Sequence, residues 1–317
     1  MFHGNLDVNT AKGLKELKER IKRAKIPESA LDESINVATW NIREFGKHAK
    51  RKESYHFIAE ILNQFDLIAI VELRRNLSQL KKVMDILGPY WDVVYSDFTP
   101  DYGGNWERFA YLFDKRAVAF TGLASELDPP RKKNKVTKEY ETLFSWWRSP
   151  FMASFAAGNF DFVAILAHIR WGDKAADRIK PLELLAQTIA KRREDSFGTD
   201  KDIILMGDFN IPKVGDPLFE AITSEGLMMP KALADAELGS NLAKNKRYDQ
   251  ILHYPSETKS FTNNAGVLDF YTGGIDKLYI DNPPDETAFT YELSDHLPLW
   301  IQIDVDTSEE KLDQIIG

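Results

Sequence analysis

The sequence has no cysteine among its 317 residues, which excludes disulfide bonds, thiolate metal ligands and thiol catalysis. It also lacks a long apolar run, since no segment approaches the roughly 20 residues that a membrane-spanning helix needs. The N-terminal segment has no apolar core of the kind found in signal peptides. We therefore expect a cytoplasmic protein with no stable membrane association.

Basic residues are outnumbered, with 41 Lys and Arg against 49 Asp and Glu and a formal net charge of -8. This balance argues against a wholly basic nucleic-acid-binding protein. It does not exclude a nucleic-acid substrate, because a carboxylate site is itself acidic and its bound cation attracts phosphate. The length and the 43% hydrophobic content are typical of one large globular α/β domain or two smaller ones.

A short apolar run, Ile203–Met206, predicts a strand that is buried on both faces. It ends at GDFN, where Asp208 and Asn210 lie two positions apart. On an extended chain these side chains point the same way, and their oxygen atoms suit a hard divalent cation and a phosphate ester. The alternative is an ordinary Asx turn that only ends the strand.

Polar residues lie at the ends of other predicted strands as well. The strands 35–40, 67–71 and 160–167 are followed by Asn41, Glu72 and His168, and the strand 297–305 is preceded by Asp295 and His296. A glutamate directly after five apolar residues is rarely buried unless it is paired or coordinated. One such residue would mean little, but the set suggests a single convergent site: Asn41, Glu72, His168, Asp208, Asn210, Asp295 and His296.

The remaining pattern predicts helices and strands along the whole chain. We expect helices at 9–25, 53–65, 77–87, 176–193 and 216–225, and strands at 91–95, 109–113, 117–121, 151–156, 248–252 and 275–280. The strands 109–113 and 117–121 are expected to form a hairpin, 101–104 a turn, and 129–138 a solvated basic loop. No linker interrupts the motifs, so we expect one domain over 1–317, with its core at about 35–305 and helix 9–25 and tail 306–317 peripheral.

Five motifs in order resemble one family. They are ATWNI around Asn41, VELR around Glu72, AHIRWG around His168, LMGDFN around Asp208 and SDHLPLW around Asp295. Together they resemble the endonuclease/exonuclease/phosphatase superfamily, which includes deoxyribonuclease I, apurinic endonucleases, sphingomyelinases and inositol polyphosphate phosphatases. The resemblance implies an α/β (α+β) fold, a two-layer β-sandwich with flanking helices, and a metal site where the strands of both sheets end.

Two further segments resemble the deoxyribonuclease I-like branch. ERFAYLF resembles a strand whose glutamate, here Glu107, orients His168, and RYDQI resembles a strand whose aspartate, here Asp249, supports His296. Val71 departs from the glutamine that the branch usually has before the metal-binding glutamate. The cysteines of secreted deoxyribonucleases are also absent, which argues against a secreted digestive role.

The resemblance also implies that two arginines contact the substrate phosphate, Arg74 after the metal-binding glutamate and Arg148 in the RSP segment. For Arg74, Arg148 and Asp249 the alternative is a purely structural role as a salt-bridge partner.

The implied chemistry is metal-assisted attack of an activated water on a phosphodiester. Glu72 and Asn41 would hold Mg²⁺ or Mn²⁺, and Asp208, Asn210 and Asp295 would hold a second cation or the phosphate, with Ca²⁺ as an alternative structural ion. We expect His296 to be the general base and His168 the acid or hydrogen-bond donor, although the two could exchange roles. The expected catalytic set is His168, His296, Glu107, Asp249, Asp208 and Asn210.

Two function classes follow. The first is a monomeric, metal-dependent DNA endonuclease. The second is a phosphohydrolase of a phospholipid or inositol phosphate, which should expose an apolar loop to the membrane surface, and 144–147 is the candidate loop. A non-catalytic binding protein is disfavoured because every core polar position of the family motifs is retained.

Overall fold

The structure is a computed structural model that describes residues 1–100, 102–144, 146–172, 174–198, 200–235, 239–258 and 260–308, with Leu312 and Ile316. Asp101 of the predicted turn and Ser145 of the candidate loop lie outside the described residues, as do 309–311, 313–315 and 317 of the tail. Among the described residues, no helix is both long and apolar enough to cross a membrane.

Thirteen strands are seen within the described ranges, and they are listed here in chain order. They are β1 (Ser34–Asn41), β2 (Leu67–Arg74), β3 (Trp91–Tyr95), β4 (Glu107–Asp114), β5 (Ala119–Glu126), β6 (Arg131–Lys133), β7 (Tyr140–Thr142), β8 (Phe151–Ala157), β9 (Phe160–His168), β10 (Ile203–Asp208), β11 (Asp249–His253), β12 (Phe261–Val267) and β13 (Leu299–Asp304). The helices are α1 (Val8–Arg23), α2 (Lys52–Leu62), α3 (Ser78–Leu87), α4 (Ile179–Glu194), α5 (Pro217–Thr223), α6 (Lys231–Asp235) and α7 (Glu286–Glu292), with a 3-10 turn at Ala175–Arg178 before α4.

The strands form two main sheets with helices outside them. The first sheet has the order β12-β13-β1-β2-β4-β3, and the second has the order β11-β10-β9-β8-β5. The pairs β1–β2 and β9–β10 are parallel, and the other pairs within the two sheets are antiparallel. This architecture confirms the expected two-layer sandwich with flanking helices.

The strand β10 shows how the sequence specifies the two layers. Ile204 and Met206 pack in the core between the sheets, whereas Ile203 and Leu205 pack in a second core with α4 and α5. Alternate side chains of a strand point to opposite faces, so an unbroken apolar run is what a strand covered on both faces requires. The prediction of a doubly buried strand is confirmed.

The predicted N-terminal helix is present as α1 and packs on the first sheet's side of the molecule. Leu14 and Leu17 join the main core, and the buried Arg20 donates hydrogen bonds to the carbonyl oxygens of Phe270 (2.9 Å) and Gly274 (2.7 Å). A buried guanidinium group is tolerated here because backbone carbonyl oxygens accept its hydrogen bonds. The helix is therefore fixed to the chain segment that precedes the last strand.

The predicted hairpin of 109–113 and 117–121 is wrong. β4 pairs with β2 on one side and β3 on the other, whereas β5 pairs with β8 in the second sheet. Both backbone edges of β4 are thus occupied, so the next strand has no edge to join and crosses to the other layer. The predicted basic loop 129–138 contains β6, which pairs with β7 in a small exposed ribbon.

The predicted strand at 275–280 is also wrong, because this segment forms turns. Its residues Leu278 and Tyr279 are buried, and the Tyr279 ring packs on Phe57 of α2 (centroids 5.3 Å apart) and shares a hydrogen bond of 2.8 Å with Ser54. The edge strand is supplied by β12, which the pattern did not predict because its middle residues are polar and exposed.

Candidate active site

The ends of strands from both sheets meet at one edge of the sandwich and form an open cleft of about 530 Å³. Ten of the eleven predicted site residues line it, and the eleventh, Asp249, lies directly behind His296. The convergence that was predicted from strand ends is therefore seen in the structure, although the role of each side chain stays a prediction. The ten lining residues are Asn41, Glu72, Arg74, Glu107, Arg148, His168, Asp208, Asn210, Asp295 and His296.

Asp208, the last residue of β10, occupies the middle of this constellation. Its Oδ2 accepts a hydrogen bond from Asn41 Nδ2 (3.0 Å) and lies 3.7 Å from His168 Nε2 and 3.8 Å from His296 Nε2. The approach depends on Gly207, whose φ is +133° and where a Cβ would lie 2.0 Å from the carbonyl oxygen of Ala167 on β9. Only glycine brings the two parallel strands this close immediately before Asp208.

The local conformation at Asn210 differs from the prediction. β10 ends at Asp208, and Asn210 has φ 53°, so the two side chains are not related by alternation along an extended chain. Instead the Asn210 N–H donates to Asp208 Oδ1 (2.9 Å) and Asn210 Nδ2 donates to the carbonyl oxygen of Ile169 (2.7 Å). The Asx turn named as the alternative is thus present, and this turn brings both side chains to the cleft.

Glu72 reaches the cleft through an irregularity in β2. The pairing of β2 with β4 shifts register between Ile70 and Leu73, and Glu72 has φ 63°. Its Oε1 accepts from Asn41 Nδ2 (3.0 Å) and its Oε2 accepts from the Glu44 N–H (2.9 Å). A non-glycine residue in this conformation is strained, and such residues concentrate at functional sites.

The oxygen atoms around Asn41 fit a divalent cation. The buried Asn41 Oδ1 has no hydrogen-bond partner among the described residues, and the carboxylates of Glu72 and Asp208 both accept from Nδ2 of the same amide. Carboxylate and amide oxygens grouped in this way are typical ligands of Mg²⁺ or Mn²⁺. The half-exposed Asp295 lies at the rim of the cleft, with its Oδ2 3.6 Å from Arg43 Nη1.

A second group could also hold a cation. Ligand atoms of Asp208, Asp249 and His296 lie within 4.8 Å of one another, and all three residues are buried. However, the closest of these contacts joins Asp249 Oδ2 and His296 Nδ1 at 2.7 Å, which is a hydrogen bond. We therefore treat Asp249 and His296 as a hydrogen-bonded pair and Asp208 as the carboxylate open to a metal ion.

His168 and Glu107 form the first histidine–carboxylate pair, with His168 Nδ1 3.0 Å from Glu107 Oε2. Arg148 contacts both oxygens of the same carboxylate, through Nε at 2.7 Å and Nη2 at 2.9 Å, and Arg74 Nη1 lies 3.6 Å from Oε1. Burial opposes ionisation, but His168 and the two arginines outweigh it and lower the pKa of Glu107 to about 2.

His296 and Asp249 form the second pair, in which the neighbouring Ser294 fixes the backbone by accepting from the His296 N–H (2.9 Å). Burial would lower the pKa of His296, but the charges of Asp249 and Asp208 outweigh it and raise this pKa to about 10. In the metal-free protein His296 therefore carries a proton at neutral pH.

The two arginines lie in the cleft and also form salt bridges there. Both guanidinium groups line the cleft, and both are ion-paired with Glu107, while Arg74 Nη2 also lies 3.2 Å from Glu44 Oε1. The salt-bridge alternative is thus seen in the structure, and contact with a phosphate stays a prediction.

Several cleft residues were not predicted although they lie beside predicted ones in the same motifs. Asn105 donates to Glu107 Oε1 (3.0 Å), and the Tyr248 ring lies 5.9 Å from the His296 ring. The available signal was sequence adjacency, because each follows or precedes a motif residue by one to three positions. The side chains of this kind are those of Arg43, Glu44, Asn105, Arg170, Trp171 and Tyr248, and Gly172 also lines the cleft.

A family model for the endonuclease/exonuclease/phosphatase family matches residues 38–296. The chain belongs to this family. Members of the family are hydrolases of phosphoester bonds and generally use divalent metal ions, in agreement with the oxygen-rich cleft described above.

Individual relatives cover most of the chain. A deoxyribonuclease from Thioalkalivibrio sp. (strain K90mix) is 28% identical over 304 residues, which is 89% of this chain and 74% of the relative. A mannosyl-6-phosphatase from Bacteroides thetaiotaomicron superposes with a TM-score of 0.53 at 19% identity, covering 86% of this chain and 98% of the other. A Neisseria 3′ phosphatase bound to a product DNA hairpin superposes with a TM-score of 0.50 at 13% identity, covering 85% and 99%. The two structures show a shared fold.

Proposed function

We propose that this protein is a metal-dependent DNA endonuclease. The observation that carries the proposal is the pair of histidines whose Nε2 atoms lie 3.7 and 3.8 Å from one oxygen of Asp208, each held by its own carboxylate. This arrangement supplies one group to accept a proton and another to donate one within a single cleft. The similarity to a deoxyribonuclease along 89% of the chain supports DNA as the substrate.

Asn41, Glu72 and Asp208 would hold Mg²⁺ or Mn²⁺, with Asn210 and Asp295 available to a second ion or to the phosphate. When bound, the ion would polarise a phosphoryl oxygen and stabilise the charge that develops there. The side chains of the cleft would orient the phosphodiester beside this ion. The guanidinium groups of Arg74 and Arg148 would place further positive charge next to the phosphate.

The two histidines would divide the proton transfers. Each imidazole is held by its own carboxylate, so one histidine would accept the proton of the attacking water and the other would donate a proton to the leaving oxygen, in either order. In both assignments the partner carboxylate fixes the imidazole's orientation and the position of its proton.

The test is nicking of supercoiled plasmid by the purified protein. We expect activity with Mg²⁺ or Mn²⁺, loss of activity with a chelator, and loss in Glu72→Ala, with the exposed Glu19→Ala as a matched control that retains activity. Full activity in chelator, or in Glu72→Ala, would refute the metal assignment.

The alternative substrate is a phospholipid or an inositol phosphate. The candidate membrane loop offers little apolar surface, because Trp146 is buried and the 44% exposed Trp147 has the Arg170 guanidinium carbon 4.0 Å from its ring centroid. A panel of plasmid, linear duplex, single strand, abasic duplex, sphingomyelin and inositol phosphates at one metal concentration decides between them. Turnover of a lipid or inositol phosphate well above that of every DNA would replace the endonuclease proposal.

A further inference from the structure

A second cavity of about 370 Å³ opens beside the catalytic cleft. The two share Arg148, His168, Arg170 and Gly172 as lining residues, so a ligand at the catalytic histidine can extend directly into the second cavity. Its volume is within the range of cavities that bind small organic groups. The remaining residues that line the second cavity have no role in the site described above.

Exposed tryptophans stand at this cavity and at the adjoining rim of the cleft. Trp147 is 44% exposed and Trp171 is 55% exposed, although side chains of this type are usually well buried. Each ring has an arginine beside it, Arg170 over Trp147 at 4.0 Å and Arg178 over Trp171 at 4.7 Å. The contacts hold the rings in place while leaving much of their surface open to a ligand.

The charge of the walls indicates an anionic ligand. Arg148, Arg170, Arg178 and Lys180 line the second cavity, with Asp177 as the one acidic residue among the described lining residues, in a protein whose net charge is -8. Arg178 is buried, donates through Nη1 to the carbonyl oxygen of Trp171 (2.9 Å) and so fixes the position of that tryptophan. Aromatic faces beside arginines are the combination by which proteins bind nucleotides of single strands.

We propose that this cavity binds the unstacked base of one nucleotide next to the scissile phosphate, on the His168 side. The base stacks on a tryptophan face, and the arginines contact the phosphate beyond it. A base inside a duplex must leave its stack to enter, at a cost that is smallest when the nucleotide is already unpaired. The enzyme therefore prefers single-stranded or locally unpaired DNA. This inference rests on the proposed nuclease function.

The experiment uses a single-stranded oligonucleotide protected by phosphorothioate linkages except at one central phosphodiester. The base of each flanking nucleotide is in turn replaced by an abasic spacer. Loss of one stacked base costs about 1–3 kcal/mol, so we expect kcat/KM to fall about tenfold for one of the two spacers and little for the other.

Variants connect this loss to the cavity. Trp147→Ala should lower kcat/KM on the intact oligonucleotide by a similar factor, and should lose little more on the sensitive abasic substrate, because the two changes remove one interaction. Trp147→Phe keeps a stacking face and should retain most of the activity, which controls for misfolding. Phe197→Ala, an exposed aromatic residue outside the cavity lining, should behave as the wild type. The preference for single strand over duplex should also shrink in Trp147→Ala.

The outcomes separate the two proposals. If the oligonucleotide is cleaved but neither spacer changes kcat/KM, or if the losses from spacer and Trp147→Ala multiply, the base-binding cavity is refuted and the nuclease proposal stands. If no DNA is cleaved while another phosphoester is, both proposals fail together.

Discussion

The cleft contains two histidine–carboxylate pairs, and each pair joins the two sheets. In one pair the carboxylate comes from the first sheet, and in the other it comes from the second. Glu107 belongs to the first sheet and His168 to the second, whereas Asp249 belongs to the second sheet and His296 precedes the last strand of the first. Both imidazole Nε2 atoms lie at nearly the same distance from Asp208 Oδ2. The two imidazoles are therefore almost equally close to Asp208 Oδ2.

The surroundings of the two carboxylates are not symmetric. Glu107 also contacts Arg74, Arg148 and Asn105, whereas Asp249 Oδ1 has no hydrogen-bond partner among the described residues. One carboxylate thus neutralises a buried cluster of positive charge, and the other acts mainly on one imidazole. The two histidines are almost equally distant from Asp208, but their partner carboxylates, Glu107 and Asp249, do not contribute equally to holding the fold together.

The strongest test of the pairing is loss of either histidine. We expect His168→Ala and His296→Ala each to lower turnover by about a hundredfold or more, since each removes one proton-transfer group. The initial rate of plasmid nicking at saturating Mg²⁺ measures this, with His3→Ala as a control remote from the cleft.

Double variants sharpen the result. Adding Glu107→Gln to His168→Ala should cost little more, whereas adding Asp249→Asn to His168→Ala should cost nearly its full single-variant loss. Full multiplication in the first of these combinations would show that Glu107 does not act through His168.

A smaller effect is expected on stability. Glu107→Gln leaves two buried guanidinium groups without their shared carboxylate and should lower the free energy of unfolding by about 2 kcal/mol, more than Asp249→Asn does. Urea denaturation in the presence of EDTA measures both. Equal losses in the two variants would contradict the asymmetry.

The stability losses caused by Glu107→Gln and by Asp249→Asn should disappear at opposite ends of the pH scale. The folded-state pKa of Glu107, about 2, lies below its ordinary 4.5, so its contribution is present above pH 4.5 and disappears as pH falls towards 2. The folded-state pKa of His296, about 10, lies above its ordinary 6.5, so its contribution is present below pH 6.5 and disappears as pH rises through 10. The stability difference between wild type and each variant should shrink in those two windows respectively.

The smallest expected effect concerns Arg148, which belongs to the Glu107 side alone. If it contacts a substrate phosphate, Arg148→Ala should weaken binding to all DNA sequences alike and flatten the dependence of log K on log salt by about one unit. Binding titrations over a range of salt concentrations measure the slope. An unchanged slope with reduced stability would leave Arg148 as a partner of Glu107 only.

The sequence predicted the location of the cleft better than its internal contacts. Asn41, Glu72, His168 and Asp208 stand out because a polar side chain directly after an apolar strand is costly unless it has a partner. The contact of Arg148 with Glu107 joins residues 41 positions apart, one before β8 and the other on β4, and no periodicity of either segment encodes it. The similarity to a family supplied the histidine–carboxylate pairs, which local patterns alone do not specify.

Two of the errors in the fold, the predicted strand 275–280 and the missed β12, have a common physical cause, which is that burial and strand pairing are different properties. The segment 275–280 is rich in apolar residues, yet its buried Tyr279 packs against a helix and its backbone turns. The strand β12 has polar exposed residues, yet its backbone pairs with β13 at the edge of the sheet. Hydrophobic pattern reports burial, whereas backbone pairing depends on which sheet edge is free.

The division of each pair between the two sheets has a consequence for how activity appears during folding. The first sheet is built from residues 34–114 and 261–304, and the second from 119–253, so the two distant parts of the chain must come together around the middle part. Closing such a long loop is an entropically costly step. Neither histidine meets its carboxylate until both sheets have docked, and for the proposed nuclease we therefore expect nicking activity to return during refolding only after the sheets have docked.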